Sequence, residues 1–573
     1  MLHPPLGPDG RIAIAVSSRR AAPSHHDGDV GRTTRARFRR ARNILWASFF
    51  LAGVPAFGCG SPAPTEPTED PAVRREKLLD PETCKECHLQ HFQEWSASMH
   101  AYASADPVFI AMNRRGQEET GGKLGSFCVN CHAPMAVREG KTTDGLNLED
   151  LPPKLRGITC YFCHNVASVE GTHNNPIVLA NDDVMRGSFT DPPPVKSPAH
   201  ASQYSPFMLG SSEKSAQFCG ACHDIVLDTP AAPPPAGNGP VKLERTYSEW
   251  QDSVFAFGPG RSNLACAAHH MPPSPLKDEG PAAEAPGIPV VSRKLHEHLF
   301  PGVDVAITRF PDTGNLDEDT RLETHHRERI QHLLNTTLQV NELCVYDVDV
   351  NRSRVSVSLE NLTAGHSWPS GASHDRRAWV EVKAYLDGQP TPVYQSGVVA
   401  DGEDIAALAA SNPDVWLIKD RLRGVVAGKE PHMFWDIIES LPGTLPARTT
   451  SDPTMQDAYN NHRVRQFPRQ VSATIPAPAD PARLRVTVLV RLQPMGFDVL
   501  DDLIASKHLD PEFRAKMPIF NVLPNVTYAD RFPQFREVSF EWSDAVRRSR
   551  IFLTTQGTEG GVAKDCVGQI ARK

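Results

Sequence analysis

The run Cys-x-x-Cys-His occurs four times, as Cys84/Cys87/His88, Cys128/Cys131/His132, Cys160/Cys163/His164 and Cys219/Cys222/His223. Each run puts two thiols and an imidazole on a single turn of chain. That is what is needed for two thioethers to hold the vinyl groups of a porphyrin while the next histidine binds its iron, so the run reads as c-type haem attachment. Cys-x-x-Cys alone also serves zinc knuckles and disulfide hairpins. Neither asks for a histidine directly after the second cysteine four times over. The first cysteines follow one another at 44, 32 and 59 residues. Such spacing leaves room for one or two helices per haem and little conventional core, so the porphyrins themselves must supply much of the buried apolar surface.

Eight of the 12 cysteines lie in these runs, leaving Cys59, Cys266, Cys344 and Cys566. Haem c is attached outside the cytoplasm, which predicts an exported chain. Arg35, Arg37, Arg39, Arg40 and Arg42 precede an apolar stretch from Ile44 to Phe57, the layout of a secretory signal. The stretch is short for a membrane span and holds Pro55. It ends at Ala56-Phe57-Gly58-Cys59 before a polar tether rich in Pro, Thr and Glu, which resembles a bacterial lipoprotein signal with Cys59 as the lipidated residue; plain cleavage is the alternative. Residues 1–34 carry no pattern of their own and read as an overlong start. With a net charge of −8 for the whole chain and +6 on residues 1–58, the remainder carries −14. That excludes nucleic acid as a partner and suits basic redox proteins. The oligomeric state is not legible.

The expected organisation is an N-terminal extension and signal over 1–58, a flexible tether over 59–74, a haem-packed and mainly α domain over 75–320, and a helix followed by an antiparallel β-sandwich-like domain over 321–573. With 573 residues and 40% apolar content the chain is long enough for several globular parts. Segments 191–195, 229–240 and 272–289 read as loops. Asp317–Thr337 has helical period. From Leu338 the pattern alternates as strands do, at 338–350, 354–360, 378–385, 483–492, 537–542 and 550–554, with helical insertions expected around 413–422 and 501–517. Phe92-Gln-Glu-Trp-Ser-Ala-Ser-Met-His-Ala101 repeats as Tyr247-Ser-Glu-Trp-Gln-Asp-Ser-Val-Phe-Ala256. Both copies suit a helix whose Trp packs at a haem edge. His100 stands where the second copy has Phe255, which favours a chemical role for His100.

His88, His132, His164 and His223 are the expected proximal ligands. A second histidine makes an iron six-coordinate and fit only to pass electrons, whereas an open position admits a substrate. Candidate distal ligands are His100, His200, His298 and His366, the last in the Gly/Pro-framed loop Ala-Gly-His-Ser-Trp-Pro-Ser-Gly; each is weighed against an ordinary structural histidine. His91, His173, His325, His326 and His332 are weaker candidates, and Met135 reads as packing rather than a thioether ligand. Cys266-Ala-Ala-His-His is a fifth run whose second cysteine is His269. It is either a haem site with one thioether from Cys266 and axial His270, or a decayed site. Cys344 and Cys566 suit a disulfide, with a buried free thiol at Cys344 as the equal alternative.

On the flanks of the runs (Thr-Cys-Lys-Glu-Cys-His with Phe-Gln-Glu-Trp-Ser-Ala-Ser-Met-His-Ala, Phe-Cys-Val-Asn-Cys-His-Ala-Pro, Gly-Ile-Thr-Cys-Tyr-Phe-Cys-His and Phe-Cys-Gly-Ala-Cys-His-Asp), the segment Glu82–Met271 resembles the multihaem cytochromes that include the tetrahaem electron carrier of hydroxylamine oxidation. The resemblance implies helical haem packing with neighbouring haems in stacked pairs. No Cys-x-x-Cys-Lys is present, so the lysine-ligated haem of pentahaem nitrite reductases is missing. The expected function is electron relay through four haems, or five with Cys266, with no catalytic residues assigned. The alternative is a haem-dependent reductase or oxidase of a small inorganic or nitrogenous substrate at one open iron.

Overall fold

The computed structural model describes residues 69–189, 199–227, 240–273, 279–284, 290–347, 349, 351–386, 389–449, 461–470, 473–476, 484–522 and 562–568. The chain divides into Met1–Pro67 and Thr68–Lys573, and every described residue falls in the second unit. The signal segment, Cys59 and nearly all of the tether lie outside the described residues, as do the expected strands at 537–542 and 550–554.

The first part of the described chain is a series of short helices joined by loops. Three of them begin with Asp-Pro: Asp70, Asp80 and Asp106 each accept a hydrogen bond from the amide two residues on, and the proline follows at the first helical position. The helices Cys160–His164 and Glu213–His223 end on the proximal histidine of a run, which delivers that ring at a fixed point of the fold. Small two-stranded sheets join the helices, such as Val166–Val169 with Ile177–Leu179 and Asp224–Leu227 with Val241–Arg245. Strand content here departs from a purely helical haem-packed segment. These strands are too short to show a period of two in sequence, and they form because they pin loops next to the runs.

Leu316–Thr337 is one long helix, as its period predicts, capped by Asn315 with Asp317, Glu318 and Asp319 in the first turn. Leu322, His326, Ile330 and Leu334 form its buried stripe, so His326 is a core residue. The chain then enters two antiparallel sheets. In one, Leu338–Asp347 lies between Arg352–Asn361 and Val562–Gly568, with His462–Phe467 at the far edge. Its register sets Cys344 opposite Cys566 on the backbone, the placement that a disulfide there requires. In the other, Arg377–Leu386 pairs with Leu484–Gln493 over ten residues. Val355, Val357 and Leu359 from one sheet join Val380, Val382, Val486, Val488 and Val490 from the other in a single hydrophobic cluster. The helix expected around 413–422 is instead at Ile405–Ser411, and Trp416–Ile418 is a strand pairing Arg377–Leu386. Trp416 and Ile418 are buried with Leu417 between them less so, a period of two that is too short to outweigh the surrounding alanines.

The helix Pro107–Glu119 ties the run-bearing part to the rest. Val108 and Ala111 pack with Trp435, Phe497, Leu500 and Leu503. The Trp435 indole donates to Glu119 at 2.8 Å, and Arg115 pairs with Asp502 at 3.2 Å. A Cβ on Gly116 would stand 2.8 Å from the Trp435 ring, so the glycine in mid-helix is what lets the two surfaces close.

Arg377, fully buried, donates to both carboxylate oxygens of Asp498 at 2.7 and 2.6 Å, and His432 lies against both Asp498 and Asp502. Removing Asp498 leaves a buried guanidinium uncompensated, so Asp498→Asn should destabilise the protein by about 3 kcal/mol in chemical denaturation. Burial opposes ionisation of Asp498, but the hydrogen bond from His432 and the charge of Arg377 outweigh it and hold its pKa below the ordinary 3.8. The Asp498 contact raises that of His432 above 6.5, against the opposing effect of burial. The contribution of the aspartate is therefore present above pH 3.8 and is lost as pH falls through its lower folded value. That of His432 is present below pH 6.5 and is lost as pH rises through its higher folded value. Wild-type stability minus that of His432→Gln, measured against pH, should be largest between those two values.

Candidate haem sites

All five proximal candidates and all four distal candidates are in described regions, and the fold brings every one but His132 into a facing pair. His88 faces His200 with ring centroids 6.4 Å apart, His164 faces His298 at 6.4 Å, His223 faces His100 at 6.3 Å and His270 faces His366 at 6.3 Å. Metal–imidazole bonds are about 2 Å and a ring nitrogen lies ~1.1 Å from its ring centre, so two trans imidazoles on one iron sit roughly 6.2 Å apart. The four separations fit a haem iron between each pair. His91 is also 6.3 Å from His88, but residues three apart on a turn lie side by side rather than face to face. It is moreover packed edge-on against His298 at 4.6 Å, too close to share an iron.

The second ring nitrogen fixes each ligand. Nδ1 of His88 lies 2.7 Å from the carbonyl of Ala282, that of His132 3.0 Å from Ala103, that of His164 2.6 Å from Arg186 and that of His270 2.8 Å from Pro301. His298 and His366 bond the carbonyls of His296 and Ser367 at 2.9 Å each. An Nδ1–H donated to a carbonyl leaves Nε2 with its lone pair free for a metal. Burial drives the pKa of His100 to about 3 and those of His223 and His366 to about 4, so these rings are neutral, the form that ligates.

Two carboxylates position distal loops. Glu94 Oε2 accepts from the amide of His298 at 2.8 Å, and Glu249 Oε2 accepts from that of Ser367, next to His366, at 3.1 Å. Burial raises the pKa of Glu94, and that of Glu249 to about 7. Gly365, at φ +76°, turns the loop that carries His366.

The cysteines give the order of the sites. None of the nine cysteines from Cys84 to Cys266 is in a disulfide. The thiols of Cys84 and Cys160 are electrostatic neighbours, as are those of Cys131 and Cys222 and those of Cys219 and Cys266. Cys163 in turn lies close to Cys219, and Cys128 to Cys131 of its own run. The sites of His88, His164, His223 and His270 thus form one line, with that of His132 joining at His223. Among the described residues no three His, Cys, Asp or Glu side chains converge as a metal-ion site.

The Cys87 amide donates to the carbonyl of Cys84 at 3.2 Å, and the Cys87 carbonyl accepts from the amide of Glu284 at 2.7 Å. The segment that supplies Glu284 also supplies the Ala282 carbonyl on His88. A thioether at Cys87 rests on the spacing of its run, with Cys87 half-buried and unoxidised.

His132 differs from the other proximal candidates. Among the described residues no histidine ring pairs with it at 6.3–6.4 Å; Phe109 lies flat on its ring, 3.9 Å away and 3° from parallel. The charged group acting on both His132 and His223 is Asp304, which is bonded by Arg376 at 2.6 and 2.8 Å.

Residues 83–165, which hold the first three runs, match the family model described as cytochrome c554 and c-prime. The segment is similar to those of multihaem c-type cytochromes. Among solved structures, a penta-heme cytochrome c552 from Thermochromatium tepidum aligns at 17% identity over 79% of this chain and 98% of that chain, with a TM-score of 0.49. No curated protein matches the chain.

Elsewhere in the fold His173 lies beside Thr172, His326 is in the core, and Met135 is fully buried in an apolar cluster, in line with packing. The tryptophans of the repeat bond backbone: Trp95 Nε1 donates to Ile158 O at 2.7 Å and Trp250 Nε1 to Leu264 O at 2.9 Å. Nothing in the sequence singled out Asp304 or Arg376, which lie 72 residues apart. Glu94 and Glu249 did carry a signal, since they are the glutamate that both copies of the internal repeat share.

Proposed function

We propose that the chain relays electrons between partner proteins outside the cytoplasm, exported through its N-terminal segment and held at the membrane by a lipid on Cys59. Haem c would supply reversible one-electron chemistry at each run, held by Cys84 with Cys87, Cys128 with Cys131, Cys160 with Cys163 and Cys219 with Cys222, and with His88, His132, His164 and His223 on the iron. The observation that carries the reading is the four facing histidine pairs, whose sites are linked through neighbouring thiols. Axial pairs close both faces of an iron to ligands and leave electron transfer as its role. Most of these rings are held by a carbonyl before any iron arrives, so little rearrangement accompanies a change of charge. The acidic remainder of the chain favours basic partners.

A second reading is carried by His132, which no histidine faces among the described residues. An iron there has room for a small substrate, and Asp304 with Arg376 supplies charge nearby. The line of sites would then feed electrons to this one through His223.

Electron paramagnetic resonance of the ferric protein, together with a cyanide titration, tests both readings. Low-spin signals from all sites but one, with one cyanide bound per chain, are expected. Predominantly high-spin iron would overturn the relay, and a protein that binds no cyanide would overturn the open site.

A further inference from the structure

The two copies of the aromatic-x-Glu-Trp repeat make matching contacts, differing by one residue at the glutamate. In the first copy Glu94 accepts from the amide of His298, and Trp95 Nε1 donates to the carbonyl of Ile158, two residues before Cys160. Ser98 Oγ donates to the carbonyl of Trp95 at 2.7 Å, and the amide of Ile158 to that of His100 at 2.9 Å. In the second copy Glu249 accepts from the amide of Ser367, beside His366, and Trp250 Nε1 donates to the carbonyl of Leu264, two residues before Cys266. Ser253 Oγ donates to the carbonyl of Trp250 at 2.8 Å, and the amide of Leu264 to that of Phe255 at 2.8 Å. Each copy fixes the start of a run with its tryptophan and the loop of a facing histidine with its glutamate.

Each framed run also starts beside another run's first cysteine: Cys160 neighbours Cys84 and Cys266 neighbours Cys219. The axial geometry is matched as well: His164 and His298 are 16° from parallel, His270 and His366 11°. His269 stands at the position of the missing cysteine and meets His270 edge-on at 5.5 Å and 81°. It therefore does not face an iron between His270 and His366. A decayed site would have no reason to keep the anchored run, the carbonyl on Nδ1 of the proximal ring and the clamped distal loop together.

On the strength of the haem reading above, we infer that Cys266-Ala-Ala-His-His holds a fifth haem by a single thioether, with His270 and His366 as axial ligands and one vinyl group left unreacted beside His269. The Cys266 thiol adds across one vinyl double bond. Its sulfur bonds the carbon next to the ring, its hydrogen goes to the terminal carbon, nothing leaves and no electron is gained or lost. Two axial imidazoles then do the holding that a second thioether does elsewhere.

Intact mass under denaturing conditions, with an alkaline pyridine haemochrome spectrum of the same holoprotein, tests this. Five haem increments are expected, with one fifth of the absorbance displaced to longer wavelength because an unreacted vinyl stays conjugated with the ring. Cys266→Ala should carry four increments and lose the displaced component. His269→Cys, which restores a complete run, should keep five increments and lose only the displaced component. Four increments in the wild type, five in Cys266→Ala, or no displaced component in a five-haem wild type would overturn the proposal while leaving the relay intact. A chain that carries no haem would instead overturn the relay.

Discussion

Replacing His298 by alanine should raise the number of cyanide-binding irons from one to two per chain. The His298 ring faces His164 at 6.4 Å. Its backbone is held by Glu94, and Glu297 beside it is held by Arg329 at 2.9 Å. Because the loop is fixed by these contacts and not by the ring, removing the ring opens the sixth position without releasing the loop. A new high-spin signal equal to one iron should appear, and added imidazole should abolish it. His91→Ala removes a ring that only packs on His298 and should leave the count at one. An unchanged low-spin spectrum in His298→Ala would show that another group ligates the iron on His164.

Made in a host that cannot attach haem, the chain should lose cooperative unfolding across residues 69–315. The main apolar cluster of that part gathers Leu78, Leu79, Val129, Met135, Tyr161, Phe162 and Leu179, and the others are small, such as Tyr247 and Trp250 with three alanines. The cluster between the two large sheets is larger. One cluster of that extent with small satellites cannot offset the conformational entropy of ordering so many short helices and loops. Limited proteolysis should cut the apo chain throughout 69–315, including around Trp95, while the holo chain resists there. Equal protection of apo and holo chains would mean that the polypeptide carries its own core and that the porphyrins add little to it.

Some of this was legible in sequence because it is local. The four runs are contiguous, so cofactor chemistry and proximal ligands are read directly. The long helix at Leu316–Thr337 shows in its period because it buries one face, and the strands from Leu338 show in their β-type runs. The Glu-Trp repeat was visible too, although its tryptophans bond carbonyls and its glutamates hold distal loops, neither of which residue identity announces. The strand at Trp416–Ile418 and the small sheets beside the runs were hidden because three or four residues carry no period. The pairing of distal with proximal histidines was closed to sequence altogether. His88 meets His200, and His270 meets His366, across stretches whose length says nothing about where a loop returns. Sequence by itself determined what binds the iron from below. Only the tertiary structure decided what faces it from above, that His132 alone lacks a facing histidine among the described residues, and that the Cys266 run is built like its complete counterpart. An axial site is a meeting of two distant backbone positions, fixed by the hydrogen bonds and packing that bring them to the same point in space.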